Sequence, residues 1–562
     1  MKRAAEIAEK NQVEATTTDT TVTEETATTK TTTTSTTHPD THSEITAPSL
    51  QRNVENPPSS KNSDAGATTR GRKRKVGGYV SPGDDENGQH STDNDSETTD
   101  DEEEGVDDGF EEDVKKYLSS VAPPKTEFKW RKRDIAVSKN TFKNPPSLSS
   151  FNSSTTPVRL FNLFFDDEVI SLLVKRTNSY ARMEKGNVKY ETNENEMRLF
   201  LAILLRSGYA SMPRRCMYWE GREDVANSFV PNAMARNRFD LLMQYLHFSS
   251  PSDKNDDDKM WKIRSFYKLI NERCLHYAMY ASDLSIDESM IPYFGRHNSK
   301  QRIANKPIRV GFKMWVLAES TGYVINFDPY EGAKGKAPTR SSPTTWGLGE
   351  KVVLSLLEVL PKGKAYSVFI DNYFTSFRLL KHLKENGIQA TGTVNKKRLE
   401  KVPIMGAKKM EKETRGYYER LTTTDNSVTL VGWNDNRPVY IASNVFSSLP
   451  LKSVRRWDKD SKQFINVNQP GLISKYNKGM GGVDRTDQNI STYRIGIRGK
   501  KWWWSLFVWT IDMAMQNAWL LYRQYKSAGD DNYGLYTYVQ KSHKLGIKRS
   551  ILSCSKPSFE TQ

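Results

Sequence analysis

Between residues 284 and 394 the hydrophobic period changes several times, and the order of those changes restricts the fold more than any other feature of the chain. Leu284-Ser-Ile-Asp287 alternates apolar and polar residues, as a half-buried strand does. Arg309-Val-Gly-Phe-Lys-Met-Trp-Val-Leu317 and Gly322-Tyr-Val-Ile-Asn-Phe-Asp328 predict two more strands, separated by a Ser-Thr-Gly turn. Gly349 to Leu360 carries Val352, Val353, Leu356, Leu357 and Leu360 at helical spacing and closes on Pro361. Tyr366-Ser-Val-Phe-Ile-Asp371 is apolar enough for a central strand. Ser376 to Glu385 predicts a helix stopped by Gly387, and Ile388 to Val394 a fifth strand.

Three strands, helix, strand, helix, strand make a mixed α/β sheet with helices on its faces. The ribonuclease-H-like fold has this order. The flanks differ in kind. Residues 157–280 are mainly helical: Asn162–Leu173, Asn193–Gly208 with a capping-box-like Asn193 and Glu196, Arg236–Phe248, and about Ile263–Tyr280. Residues 395–475 interrupt the α/β order. They are rich in Lys and predict a strand pair, Val428–Trp433 and Pro438–Ser443, around an Asn-Asp-Asn turn. A helical region follows from about Gly482 to Tyr525. Within it Trp502–Tyr522 is apolar, but Asp512, Gln516 and Asn517 lie near its middle, and a lipid-spanning helix avoids a central carboxylate. It reads as a buried helix of a soluble protein, and no membrane is expected as a partner.

The formal charge of +15 hides two opposite regions. Residues 1–120 hold 13 Lys/Arg and 26 Asp/Glu, whereas residues 121–562 hold 70 and 42, a net of +28. The first 50 residues contain 17 Thr and no aromatic side chain. Such a stretch buries too little apolar surface to offset chain entropy, so an acidic, disordered tail is expected over 1–125. Arg70-Gly-Arg-Lys-Arg-Lys75 is a basic cluster of the nuclear-localisation type, and an acidic run begins at Asp100. The start of the chain has no apolar signal core. The three cysteines, Cys216, Cys274 and Cys554, exclude a disulfide scaffold and any four-cysteine zinc site.

The chemistry-bearing residues are carboxylates. Asp287 ends the first strand and Asp371 the fourth. In a ribonuclease-H-like sheet these strands are neighbours, so both side chains emerge at one edge. Tyr476-Asn-Lys-Gly-Met-Gly-Gly-Val-Asp484-Arg-Thr-Asp487 supplies later ones: its glycines permit close backbone approach, and Asp484 and Asp487 share a helical face. Converging carboxylates repel unless cations are bound or their pKa values rise. Two Mg²⁺ ions about 3.5–4 Å apart activate a water or a 3′-hydroxyl against a phosphodiester. Asp256-Asp-Asp258 sits in a polar linker and reads as solvated. Asp328 reads as a turn former, and Glu288 is expected to face away from Asp287.

Ser285-Ile-Asp-Glu-Ser-Met290, Phe369-Ile-Asp-Asn-Tyr-Phe-Thr-Ser376 and Asn477-Lys-Gly-Met-Gly-Gly-Val-Asp-Arg-Thr-Asp-Gln488 resemble the three signature segments of the piggyBac transposase family, over about residues 157–525. The resemblance implies a helical dimerisation and DNA-binding domain at 126–280. It implies a catalytic domain at 281–395 and 476–530, split by an insertion at 396–475, and a C-terminal tail at 531–562. Asp287, Asp371 and Asp484 match the family's catalytic, metal-binding aspartates, and Asp487 a nearby fourth. The implied cofactor is Mg²⁺, or Mn²⁺ in its place. The implied partners are double-stranded DNA, as transposon ends and TTAA targets, and a second copy in a homodimer. Family members generally end in a cysteine-rich zinc module; only Cys554 follows the catalytic region here, so no structural zinc is expected.

The basic body supplies salt-dependent attraction to phosphates. Arg309, Lys313, Arg498, Lys500 and Lys501 are candidate DNA contacts, and Trp502 a candidate for stacking on an unpaired base. Trp503 and Trp504 read as core. The expected function is nuclear, metal-dependent DNA strand cleavage and transfer. The alternative is a nuclear DNA-binding protein of transposase descent without catalysis.

Overall fold

The computed structural model describes residues 127–136, 155–223, 228–278, 281–304, 306–332, 346–525 and 534–542. The expectations for the 1–125 tail, its two charge runs and Cys554 lie outside these residues.

The helical region contains α1 (Asp167–Ser179), α2 (Glu194–Tyr209), α3 (Arg236–Tyr245) and α4 (Trp261–His276). Helix α1 begins later than the acidic pattern suggested, because the Asp166 carboxylate accepts a 3.0 Å bond from the Val169 N–H and fixes the cap there. Asn193 caps α2 in the same way through the Glu196 N–H, at 2.9 Å. The Glu196 carboxylate does not close the capping box. It accepts from Thr192 and pairs with Arg238 on α3, joining two helices instead.

The predicted strands and helices are present in the predicted order. They are β2 (Asp283–Pro292), β4 (Val310–Glu319), β5 (Val324–Pro329), α5 (Leu348–Glu358), β6 (Ser367–Ile370), α6 (Phe377–Glu385) and β7 (Gln389–Thr393). Two short strands, β1 (Trp130–Arg131) and β3 (Gln301–Arg302), escape a periodicity reading because two residues carry no period. β2, β4 and β5 form an antiparallel meander, and β6 and β7 add in parallel beside β2. β6 is buried throughout, as its apolar sequence implied.

The segment after residue 395 does not stand apart from this sheet. Strands β8 (Tyr418–Thr423), β9 (Thr429–Asn434) and β10 (Pro438–Ser443) extend it, with β10 pairing antiparallel to β7. The order across the sheet is β1-β8-β9-β10-β7-β6-β2-β4-β3, with β5 also on β4. A separate two-stranded ribbon, β11 (Lys452–Asp458) and β12 (Gln463–Gln469), follows.

Three late helices close the fold: α7 (Gly471–Gly479), α8 (Gly482–Thr492) and α9 (Trp504–Tyr525). No helix among the described residues is long and apolar enough to cross a membrane. The polar residues inside α9 bind backbone of β5 and of the segments beside it. Asn517 donates to the Val324 carbonyl and accepts from its N–H, both at 2.9 Å, completing the hydrogen bonding of β5. Gln516 donates to the Gly322 carbonyl at 2.8 Å. Asp512 is buried, and its carboxyl is pushed well up by burial.

Candidate active site

The parallel pairing of β2 with β6 sets the site. Ile286 is opposite Ile370, and Ile370 is opposite Gly392 on β7. One residue further along each strand come Asp287, Asp371 and Thr393. In-register neighbours on parallel strands point to the same face, so these three form one row. The Thr393 hydroxyl donates to Asp371 Oδ1 at 2.9 Å. The Asp371 carbonyl accepts from the Phe374 and Thr375 N–H groups, both at 3.1 Å, which turns the chain sharply after β6.

Helices α7 and α8 lie across this face, and their glycines set the approach. Ser285, Asp287 and Ser289 share the face by their spacing of two. A Cβ on Gly482 would lie 2.4 Å from both Ser285 Oγ and the Glu319 carbonyl oxygen, and one on Gly479 would lie 2.2 Å from the Phe369 ring. Thr486 holds α8 by donating to the Gly322 carbonyl at 2.6 Å. Asp487 accepts from the Ser289 hydroxyl at 2.5 Å, which puts the far side of α8 two residues beyond Asp287. Asp484, in the first turn of α8, is exposed.

The electrostatics follow from burial and crowding. Asp287 is pushed up to about 7, first by burial and then by the neighbouring Glu288 charge, with Lys306 opposing and Asp371 adding to the rise. Asp487 is pushed up to about 6 by burial, against its Ser289 bond and the Lys306 charge. Tyr476, on α7, is pushed up by burial and by the charges of Asp371, Asp287 and Asp484. One phenol therefore feels all three aspartates. Lys306 approaches Glu288 to 3.3 Å, and its own pKa is raised by Asp287, Glu288 and Asp484 against the effect of burial.

Among the described residues, no three His, Cys, Asp or Glu side chains are gathered tightly enough to hold a metal ion as they stand. Each of three carboxylates is turned onto its own donor: Asp371 onto Thr393, Asp487 onto Ser289, and Asp287 onto the Glu288 N–H at 2.8 Å. The donor set is all oxygen, which suits hard divalent cations such as Mg²⁺ and Mn²⁺.

The other candidates divide. Arg309, Arg498 and Lys500 are exposed, and the last two line a cavity of about 680 Å³ with Tyr293, Phe294 and Trp504. Lys313 is not a surface cation. Strand alternation puts it on the face of Trp315, with its ammonium 3.9 Å from that ring and 3.7 Å from Glu288. Lys501 is likewise tied inward, donating to the Gln244 and Leu246 carbonyls at 2.8 and 3.0 Å, and burial pushes it down to about 7. Trp502 is half-buried, with its ring centroid 4.4 Å from that of His297; Trp503 and Trp504 are core.

Glu288 faces away as expected, toward Lys306 and Lys313. Asp258 and Asp328 differ from their sequence readings. Both pair with Arg264, at 2.8 and 2.9 Å, and Arg264 also binds Glu331 at 2.6 Å, so they bind the helical region to β5. The order of elements did not bring Asp258 near β5; that proximity comes from how α4 packs. Sequence reading also missed Thr393, Ser289, Lys306 and Tyr476. The first two were accessible as the strand neighbour of Asp371 and the same-face neighbour of Asp287. Tyr476 opens the glycine-rich segment. Nothing local marks Lys306.

A family profile described as Transposase IS4 matches residues 156–519. The human PiggyBac transposable element-derived protein 3 is 40% identical over 402 residues, covering 71% of this chain and 66% of that protein. The human PiggyBac transposable element-derived protein 2 is 35% identical over 414 residues, covering 73% and 69%. This chain thus spans about two thirds of the length of these relatives. The solved piggyBac transposase synaptic complex with hairpin DNA is similar in fold, with a TM-score of 0.61 at 24% identity, covering 74% of this chain and 85% of that one. The chain belongs to the piggyBac transposase family.

Proposed function

We propose that this chain is a metal-dependent DNA strand-cleaving and strand-transferring enzyme of the transposase type, built on a ribonuclease-H-like sheet. The observation that carries the reading is the row of Asp287 and Asp371 on adjacent parallel strands, with the start of α8 laid over it. Asp287, Asp371 and Asp484, with Asp487, would hold Mg²⁺ or Mn²⁺. Bound there, the ions supply activation of a water or 3′-hydroxyl and stabilisation of the leaving oxygen. The chain's own residues do the rest. Thr393 and Ser289 hold carboxylate oxygens in place, and Lys306 offsets their mutual repulsion.

The substrate is double-stranded DNA, attracted by the +28 of residues 121–562. Arg309, Arg498 and Lys500 are the exposed cations for phosphates, with Trp502 beside them; Lys313 and Lys501 serve packing. A homodimer acting on TTAA targets in the nucleus is the assembly this reading implies. The test is nicking of supercoiled plasmid by the purified chain in Mg²⁺, compared with Asp371→Asn. The reading requires nicking that chelation abolishes and that the variant lacks. Equal nicking by both proteins removes it. Absence of nicking with DNA binding retained establishes the second reading, a DNA-binding protein without catalysis.

A further inference from the structure

The ribbon β11–β12 has two unlike faces. Its register pairs Val454 with Val467, Arg455 with Asn466, Arg456 with Ile465 and Trp457 with Phe464. Alternation sends Val454, Ile465 and Val467 inward, where they join Trp433, Leu472 and Tyr476 in a small core. Arg456 pairs inward with Asp435 at 2.9 Å, and Trp433 Nε1 donates to the Asn468 carbonyl at 2.8 Å, so the ribbon is held rigidly at its base. The outward face presents Ser453, Arg455, Trp457, Phe464, Asn466 and Asn468, all exposed.

Two large aromatic side chains stand on that face, Trp457 49% exposed and Phe464 54% exposed. Their centroids are 5.1 Å apart at 74°, and the Arg455 guanidinium lies 4.1 Å from the Phe464 centroid. Residues 452–469 hold five basic and two acidic side chains, with Lys459 and Lys462 in the exposed loop. Leu449 and Leu451, nearby in the chain, are exposed as well. A second copy would bring the same positive charge to the same face, which disfavours self-pairing; a polyanion is attracted. Exposed aromatics amid cations and side-chain amides are the parts with which proteins hold bases that are not paired.

We infer that the outward face of this ribbon binds a DNA strand carrying unpaired bases, which stack on Trp457 while Arg455, Lys459 and Lys462 meet its phosphates. The inference rests on the DNA-directed reading above but not on catalysis. The inner side of the ribbon shares its core with Tyr476, the phenol that feels the three aspartates.

The test uses the full chain, a blunt duplex, and the same duplex with a short single-stranded overhang, at one fixed salt concentration. Trp457→Ala with Phe464→Ala is expected to weaken overhang binding about tenfold to a hundredfold and to leave the blunt duplex nearly unchanged. Trp457→Phe, which keeps a stacking ring, is expected to retain most of the affinity. Undiminished overhang binding by the double variant overturns the inference. So does equal loss on both DNAs, or a change in oligomeric state with DNA binding intact. If Asp371→Asn nicks like the parent while the double variant loses the overhang, catalysis is refuted and the ribbon site stands.

Discussion

Replacing Gly482 by Ala tests how the late helix is seated on the sheet. The new Cβ would lie 2.4 Å from the Glu319 carbonyl oxygen and from Ser285 Oγ, about 1 Å inside ordinary contact. Ser285 Oγ can turn away. The Glu319 carbonyl belongs to β4, which is paired on both sides, so α8 must move instead. Overpacking of this kind costs about 1–3 kcal/mol. The helix carries Asp484 and Asp487, and a displacement of about 1 Å at a reacting centre lowers the rate about a hundredfold. Gly481→Ala is the control, because nothing lies within 4 Å of its Cβ position. It should cost at most about 1 kcal/mol through a weaker helix cap, with nicking unchanged. Thermal unfolding and plasmid nicking in Mg²⁺ measure both effects. Parent-like melting and nicking by Gly482→Ala, or equal damage by Gly481→Ala, would refute the seating argument.

His247 is stacked on Tyr180 at 4.0 Å and is pushed down to about 3, by burial first and then by the charges of Lys501, Lys262 and Lys185. A depressed imidazole is neutral in the fold and protonates in the unfolded chain, so stability should fall as pH drops from about 6.5 toward 3, by on the order of 4 kcal/mol at the acid end. His247→Phe should flatten that part of a stability-versus-pH curve; an unchanged slope contradicts the assignment. Asn517→Ala strips partners from both the N–H and the carbonyl of Val324 and should cost about 2–5 kcal/mol in chemical denaturation. A loss below about 0.5 kcal/mol would mean β5 does not depend on that side chain. Lys500→Ala should reduce the salt slope of DNA binding by about 1. Lys501→Ala should instead lower stability and leave the slope unchanged, since its ammonium is bound to two carbonyls.

The sheet was legible because its strands announce themselves by alternation and β6 by its unbroken apolar run. Asp287 and Asp371 could be placed together because strand order determines which strand ends are neighbours. The seating of α8 was only partly legible. The glycines announced close approach, but what they approach, Ser285, Glu319 and Phe369, depends on tertiary packing. The surface cations were the least legible. Lys313 and Lys500 look alike in sequence, and only strand facing and the path of residues 493–503 make one internal and the other exposed. The extension of the sheet by β8–β10 was hidden for a related reason: the strand pair was visible, but its pairing partner β7 lies about fifty residues back in the chain.

The central claim is that acidic groups distant in sequence act together on divalent ions. Manganese anomalous density from the protein crystallised with saturating Mn²⁺ tests it most directly. A peak is expected between Asp287 and Asp371, with Asp484 or Asp487 completing the ligand set. An empty Asp287–Asp371 row, with these side chains still bonded to Thr393 and the Glu288 N–H, would contradict it.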